Sequence, residues 1–296
     1  MTNVSFSPRG ATMLLLAFAM GLSACSPLGA FDALVPKDGD AQQAAKNVSF
    51  GPVERQKLDI YRPAKARSDA LQTDLPVIVF IHGGSWKDGS KDGYSFVGRA
   101  LASRGFLVIV PNYRLVPDIQ YPAFLQDNAA AVEWVIDNAA AYGGDPSRIV
   151  LVGHSAGAYN AAMLALDPRW LGNRRENVSG FVGLAGPYDF LPLDGPVTKA
   201  AFGNEPQPET TQPIEYASAD DPPVLLLHGA KDTTVDPKHS AILRDMLSQA
   251  GAEVTLKTYP EVGHIEILTA LSRPFRGKAP VLDDTAAFAD AVTRPR

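Results

Sequence analysis

Apolar positions fall in short, nearly unbroken runs separated by longer amphipathic stretches. PVIVFIHGG from Pro76, FLVIVPNYR from Phe106, RIVLVGHS from Arg148, VSGFVGLAG from Val178 and PVLLLHGAKD from Pro223 have little polar alternation. That is the pattern of parallel strands covered on both faces. Between them YSFVGRALASRG, the segment from Phe124 through AAAVEWVIDNAAAYG, AGAYNAAMLALDP and KHSAILRDMLSQAG carry helical spacing. In the second of these, Ala131, Val135, Ile136 and Ala139 follow helical spacing while Glu133 and Asp137 face water. VERQKLDIYRP reads as an earlier strand with Leu58 and Ile60 on one face, VTLKTYP as a late strand, and APVLDDTAAFADAVTR as a closing helix. Strands alternating with crossover helices predict an α/β domain with a mostly parallel sheet over residues 50–296.

Two stretches do not fit the alternation. ARSDALQTD reads as a solvated loop. The proline-rich segment from Pro192 to Pro223 can hold only short helices and is expected at the rim of a pocket. Residues 25–49 show no sustained periodicity and are expected to form a tether and an entry segment leading into the domain.

Composition narrows the partners. The chain has 296 residues, is 46% hydrophobic and carries a formal charge of −5, enough apolar content for a large core. Its basic residues are scattered, so nucleic acid is not an expected partner. Residues 1–24, with one arginine, the apolar segment ATMLLLAFAM and then LSAC, read as a secretory signal too short to span a membrane. LSAC also resembles the lipobox of bacterial lipoproteins, which makes Cys25, the only cysteine, the expected site of lipidation. By the same resemblance, Ser26 points to the outer membrane, facing the periplasm.

The chemistry gathers at the ends of the apolar runs. In RIVLVGHSAGAYNAAMLAL, Ser155 stands between Gly153 and Gly157 where a strand hands over to a helix, fitting the G-x-S-x-G elbow that exposes a nucleophile. A serine needs a base, and the base an orienting carboxylate. Of five histidines, His154 adjoins the serine, His82 precedes paired glycines, His228 closes a strand and His239 lies in a helical stretch. His264, in the loop after VTLKTYP, is the expected base. Asp232, on the turn beyond PVLLLHG, is the expected acid, with Asp189 and Asp236 as alternatives. Ala156 N–H at the helix start is an expected oxyanion donor. Trp86, Tyr94, Phe96, Tyr188 and Phe190 follow these motifs and are candidates for an apolar substrate pocket.

HGGSW from His82, GHSAG from Gly153, Asp232, His264 and the NYRL segment together resemble the α/β-hydrolase superfamily, and within it the carboxylesterase and hormone-sensitive-lipase-like branch. The resemblance covers roughly residues 50–293. It implies the α/β-hydrolase fold and a serine carboxylesterase acting through an acyl-enzyme without metal or organic cofactor, and the candidate pocket aromatics fit small, aromatic or short-acyl esters. Matching the H-G-G-x pattern makes the backbone N–H groups of Gly84 and Ser85 the remaining oxyanion donors. The chain departs from the family in reading HGGS rather than HGGG, and in having little sequence before its first catalytic strand to build a large helical cap. HGGSW with GHSAGAY is also similar to kynurenine-formamidase-like hydrolases, which would act on an N-formyl amide. A noncatalytic binding lipoprotein is the alternative of a different class.

Overall fold

The computed structural model describes residues 27–64 and 74–294. The signal and lipidation expectations, on residues 1–24 and Cys25, lie outside the described residues. One eight-stranded sheet runs in the order β1 (Ala41–Ser49), β2 (Lys57–Pro63), β4 (Leu107–Pro111), β3 (Leu75–Ile81), β5 (Gly144–His154), β6 (Val178–Leu184), β7 (Val224–Gly229) and β8 (Val254–Tyr259). β1 pairs antiparallel with β2 and β2 with β4; every pairing from β4 through to β8 is parallel.

The unbroken apolar runs follow from burial on both sides. Val77, Val79, Ile81, Ile149 and Leu151 pack into one core layer, with α3 (Ala123–Asn138) and α4 (Ala156–Leu166). Ile78, Phe80, Val150 and Val152 face the other layer, with α2 (Ser95–Ala102) and the closing helix Val281–Val292. This is the helix-covered, largely parallel sheet of the α/β-hydrolase fold. Because β3 and β5 to β8 run the same way, their carboxyl ends share one edge, where ligands bind in such sheets.

The lead-in to the domain has more regular structure than its lack of periodicity suggests. From residue 27 the expected tether is structured: Pro27–Leu34 forms helix α1 and Ala41–Ser49 the edge strand β1. β1 carries no apolar run because it has one neighbour and only Ala41 along it is buried. Its burial alternates, and its register with β2 slips twice. The proline-rich segment holds short α5 (Pro196–Phe202) and single 3₁₀ turns. No helix among the described residues is long and apolar enough to cross a membrane.

Candidate active site

β5 delivers the chain to the shared edge and α4 carries it away, leaving Ser155 at the bend with φ 56° and ψ −126°. A side chain rarely adopts this conformation, which costs about 1–3 kcal/mol and survives only where packing enforces it. Two glycines enforce it here. A Cβ on Gly153 would strike the Gly157 carbonyl, and one on Gly157 would strike the Ile81 carbonyl. Only bare backbone lets helix, strand and neighbouring strand approach this closely. The Ser155 amide donates to Leu184 O at 2.9 Å, fastening the bend to β6.

Asp232 lies on the turn after β7 and His264 at the first position of helix α7 (His264–Thr269), beyond β8. His264 Nε2 is 3.0 Å from Ser155 Oγ, and its Nδ1 is 2.7 Å from Asp232 Oδ2. Oδ1 of the same carboxylate accepts the backbone N–H groups of Thr234 and Val235 at 2.8 and 2.9 Å. Burial by itself would raise the Asp232 carboxyl. The hydrogen bonds from Val235, His264 and Thr234 outweigh it and hold the group below the usual carboxylate value. A hydroxyl against one imidazole nitrogen, with a carboxylate on the other, can pass its proton to the ring. The alternative acids are placed elsewhere. Asp236 is spent on the Lys238 amide at the start of α6 (Lys238–Ala250), and the Asp189 amide donates to His239 Nδ1.

Two other histidines touch this relay, and the sequence reading gave neither a part in it. His228 Nε2 lies 3.0 Å from Val235 O and 3.3 Å from Asp232 Oδ2, while its Nδ1 lies 2.7 Å from Ser240 Oγ. A carbonyl and a carboxylate at Nε2 require the proton there, so Nδ1 accepts from the serine. His154 Nε2 lies 3.0 Å from the carbonyl oxygen of His264, fixing the backbone of that residue. Burial lowers His154 to about 3, so it stays neutral 4.8 Å from the His264 ring. The available signal was position: His154 adjoins Ser155, and His228 stands four residues before Asp232.

The HGGSW loop follows β3. Gly84 has φ 124°, and Ser85 and Trp86, neither a glycine, have φ 53° and 57°. This left-handed path is held by Lys87 and Asp88 amides donating to Gly84 O, and by Gly83 N–H donating to the Tyr94 hydroxyl at 3.2 Å. The amides of Gly84 and Ser85 have no acceptor among the described residues, and that of Ala156, first in α4, has none within its helix.

Ser155, His264, Gly84 and Ser85 open on a cleft of about 600 Å³. Of the five candidate pocket aromatics, only Tyr94 lines it. Trp86 is 3% exposed and packs edge-on against Tyr159 and Phe202, with Nε1–H donating to Asn160 Oδ1 at 3.1 Å. Phe190 joins the same aromatic cluster, Tyr188 is buried against Phe181, and Phe96 is buried under Phe31. Trp86, Tyr188 and Phe96 are core, and Phe190, half-buried, packs against it. The proline-rich segment borders a smaller hollow of about 160 Å³ beside Ser85, through Pro196, Val197 and Ala200. Among the described residues, no group of three or more His, Cys, Asp or Glu is placed to hold a metal ion.

A family model described as BD-FAE matches residues 58–247, more than half of the chain and including Ser155 and Asp232. The chain belongs to the BD-FAE family. Among its relatives is isoprenylcysteine alpha-carbonyl methylesterase ICME of Arabidopsis thaliana, 29% identical, the alignment covering 85% of this chain and 63% of that protein. Another is esterase LipQ of Mycobacterium tuberculosis, 32% identical over 77% of this chain and 58% of the relative. The BD-FAE chain thus spans about three fifths of the length of such relatives. In shape it is similar to esterase B from Lactobacillus rhamnosis, with a TM-score of 0.78 and 20% identity over 97% of each chain.

Proposed function

We propose that this BD-FAE member is a serine carboxylic-ester hydrolase that works through an acyl-enzyme on small, aromatic or short-acyl esters. The observation that carries the reading is the unbroken contact from Ser155 Oγ through His264 to Asp232. Ser155 attacks the ester carbonyl as His264 Nε2 takes its proton, and Asp232 holds the proton on Nδ1 and stabilises the imidazolium. The amides of Gly84, Ser85 and Ala156, which have no acceptor among the described residues, receive the oxyanion, each worth about 3 kcal/mol in comparable chemistry. His264 then protonates the departing alcohol and activates water against the acyl-enzyme. Relatives named as esterases and a methylesterase support an ester over an amide. The motifs favour the hormone-sensitive-lipase-like branch.

The test is covalent labelling with a fluorescent alkyl phosphonate beside turnover of 4-nitrophenyl acetate and N-formylkynurenine. The reading expects stoichiometric labelling, acetate turnover, and neither in S155A. Labelling that persists in S155A removes this nucleophile, turnover of the formyl amide alone removes the ester, and a protein that never labels is a binding module.

The sequence pattern further supports placing the protein in the cell envelope, lipid-anchored at Cys25 to the outer membrane and facing the periplasm. Metabolic labelling with a radioactive fatty acid, lost in C25S, is the expected result.

A further inference from the structure

Three of the residues lining the cleft beside Ser155 come from α1, the helix that the sequence presents as tether. Pro27, Leu28 and Phe31 face the same hollow as Tyr94, Ile265 and Leu268. Phe31 is wedged edge-on against Phe96 at 5.2 Å and tilted on Phe275 at 6.0 Å, which holds the ring in one place.

The helix is also latched. Asp32, 7% exposed, accepts the Phe96 amide at 2.7 Å and the Ser95 hydroxyl at 2.6 Å. These donors lie in the first turn of α2, whose own N-cap residue, Tyr94, makes no side-chain capping hydrogen bond. A carboxylate from another helix therefore does the capping, where the helix end favours negative charge. Eight residues of helix have little stability alone. Burying a carboxylate to hold them against the cleft gives the wall a fixed position.

We infer that α1 is the wall of the ester site that sets how long an apolar chain the site accepts, with Leu28 and Phe31 as the contacting side chains and Asp32 as the positioning residue. This rests on the ester-hydrolase reading above and adds to it the element that selects the substrate. The ligand is the uncharged hydrocarbon part of an ester, since Leu28, Phe31, Tyr94, Ile265 and Leu268 offer it apolar surface.

The experiment compares kcat/KM of the full chain, L28W, L28A, D32A and D32N on two series, 4-nitrophenyl acyl esters and alkyl acetates. L28W is expected to shift the optimum to a chain shorter by two or more carbons, and L28A to a longer one. Each methylene that loses apolar contact changes kcat/KM by about fourfold. The series that responds identifies the acyl or the alcohol side. D32A is expected to raise KM for the longest good substrate more than for acetate, with D32N restoring it. Phosphonate labelling at wild-type stoichiometry shows that each variant keeps a folded site. An optimum unmoved in both L28W and L28A across both series, in protein that labels, overturns the wall alone. A wild-type chain that neither labels nor hydrolyses esters removes the ester reading and this inference with it.

Discussion

One oxygen of Asp232 stands between two imidazoles, with His264 Nδ1 at 2.7 Å on one side and His228 Nε2 at 3.3 Å on the other. Its second oxygen is held by two backbone amides, so every side of the carboxylate is determined by the protein. His228 is fully buried, and the Val235 carbonyl and Asp232 carboxylate at Nε2 fix its tautomer. Burial lowers its pKa although Asp232 pulls the other way, so it stays a neutral donor.

H228A should therefore weaken the relay without touching the nucleophile. A hydrogen bond to a charged group is worth about 1.5–3 kcal/mol, and kcat for 4-nitrophenyl acetate should fall about tenfold or more. H228Q, which keeps an N–H donor, should recover part of the loss. Equal kcat in wild type and H228A would show that Asp232 does not depend on the second imidazole.

The strands were legible because burial on both faces leaves no room for polar residues, so RIVLV or PVLLL allows little else. Ser155 and Asp232 were legible as positions because each follows such a run, and His264 because it lies in the loop after the late strand VTLKTYP; the structure places the three in contact. β1 was not, since an edge strand that is mostly half-buried or exposed needs little apolar sequence: Ala41 packs into one core layer and Ala45 and Val48 against the other. The pocket aromatics were not either. Trp86 and Tyr94 both follow the HGGS loop, yet one turns into the core and the other toward the cleft. That choice depends on the left-handed backbone at Trp86 and on an acceptor in α4, neither of which has a sequence signature. The part of α1 in the cleft was hidden for a related reason, because a helix latched by another helix need not carry its own pattern.

The elbow makes a stability prediction. Adding one methyl at Gly157 drives it into the Ile81 carbonyl, a backbone atom that cannot rotate away. G157A should lower unfolding free energy by about 3 kcal/mol, at the upper end of overpacking costs, and slow phosphonate labelling as Ser155 shifts. Urea denaturation followed by tryptophan fluorescence measures the first, and a labelling time course the second. Wild-type stability in G157A would mean that helix and strand are less tightly apposed than the geometry shows.

Acid should unfold the chain before its carboxylates titrate. Burial lowers His82 from 6.5 to about 4 and His154 from 6.5 to about 3, and lowers His228 and His239 as well. The folded state keeps these rings neutral, whereas the unfolded chain takes up protons below 6.5. Stability is thus full above that pH and is lost as pH falls toward the folded values. The slope is about 1.4 kcal/mol per pH unit for each fully buried ring. Urea midpoints at pH 7, 6 and 5 should decline steadily, and H82N should flatten the decline by one ring's share. A midpoint constant down to pH 5 would mean that these rings take up protons inside the fold.

Trp86 offers the sharpest division between pocket and core. Its indole N–H donates to Asn160 Oδ1 inside an aromatic cluster, and Asn160 Nδ2 lacks a partner among the described residues. W86F removes the one donor to that oxygen among the described residues and leaves a small void, so unfolding free energy should drop by about 2–3 kcal/mol. Replacing both partners, as W86F/N160L, should cost less than the sum of the single changes, because a buried pair removed together leaves no polar atom stranded. Denaturant melts of the two single variants and the double variant close the cycle. A pocket wall would behave in the opposite way, with stability near wild type and a changed ester preference, and that result would return Trp86 to the substrate site.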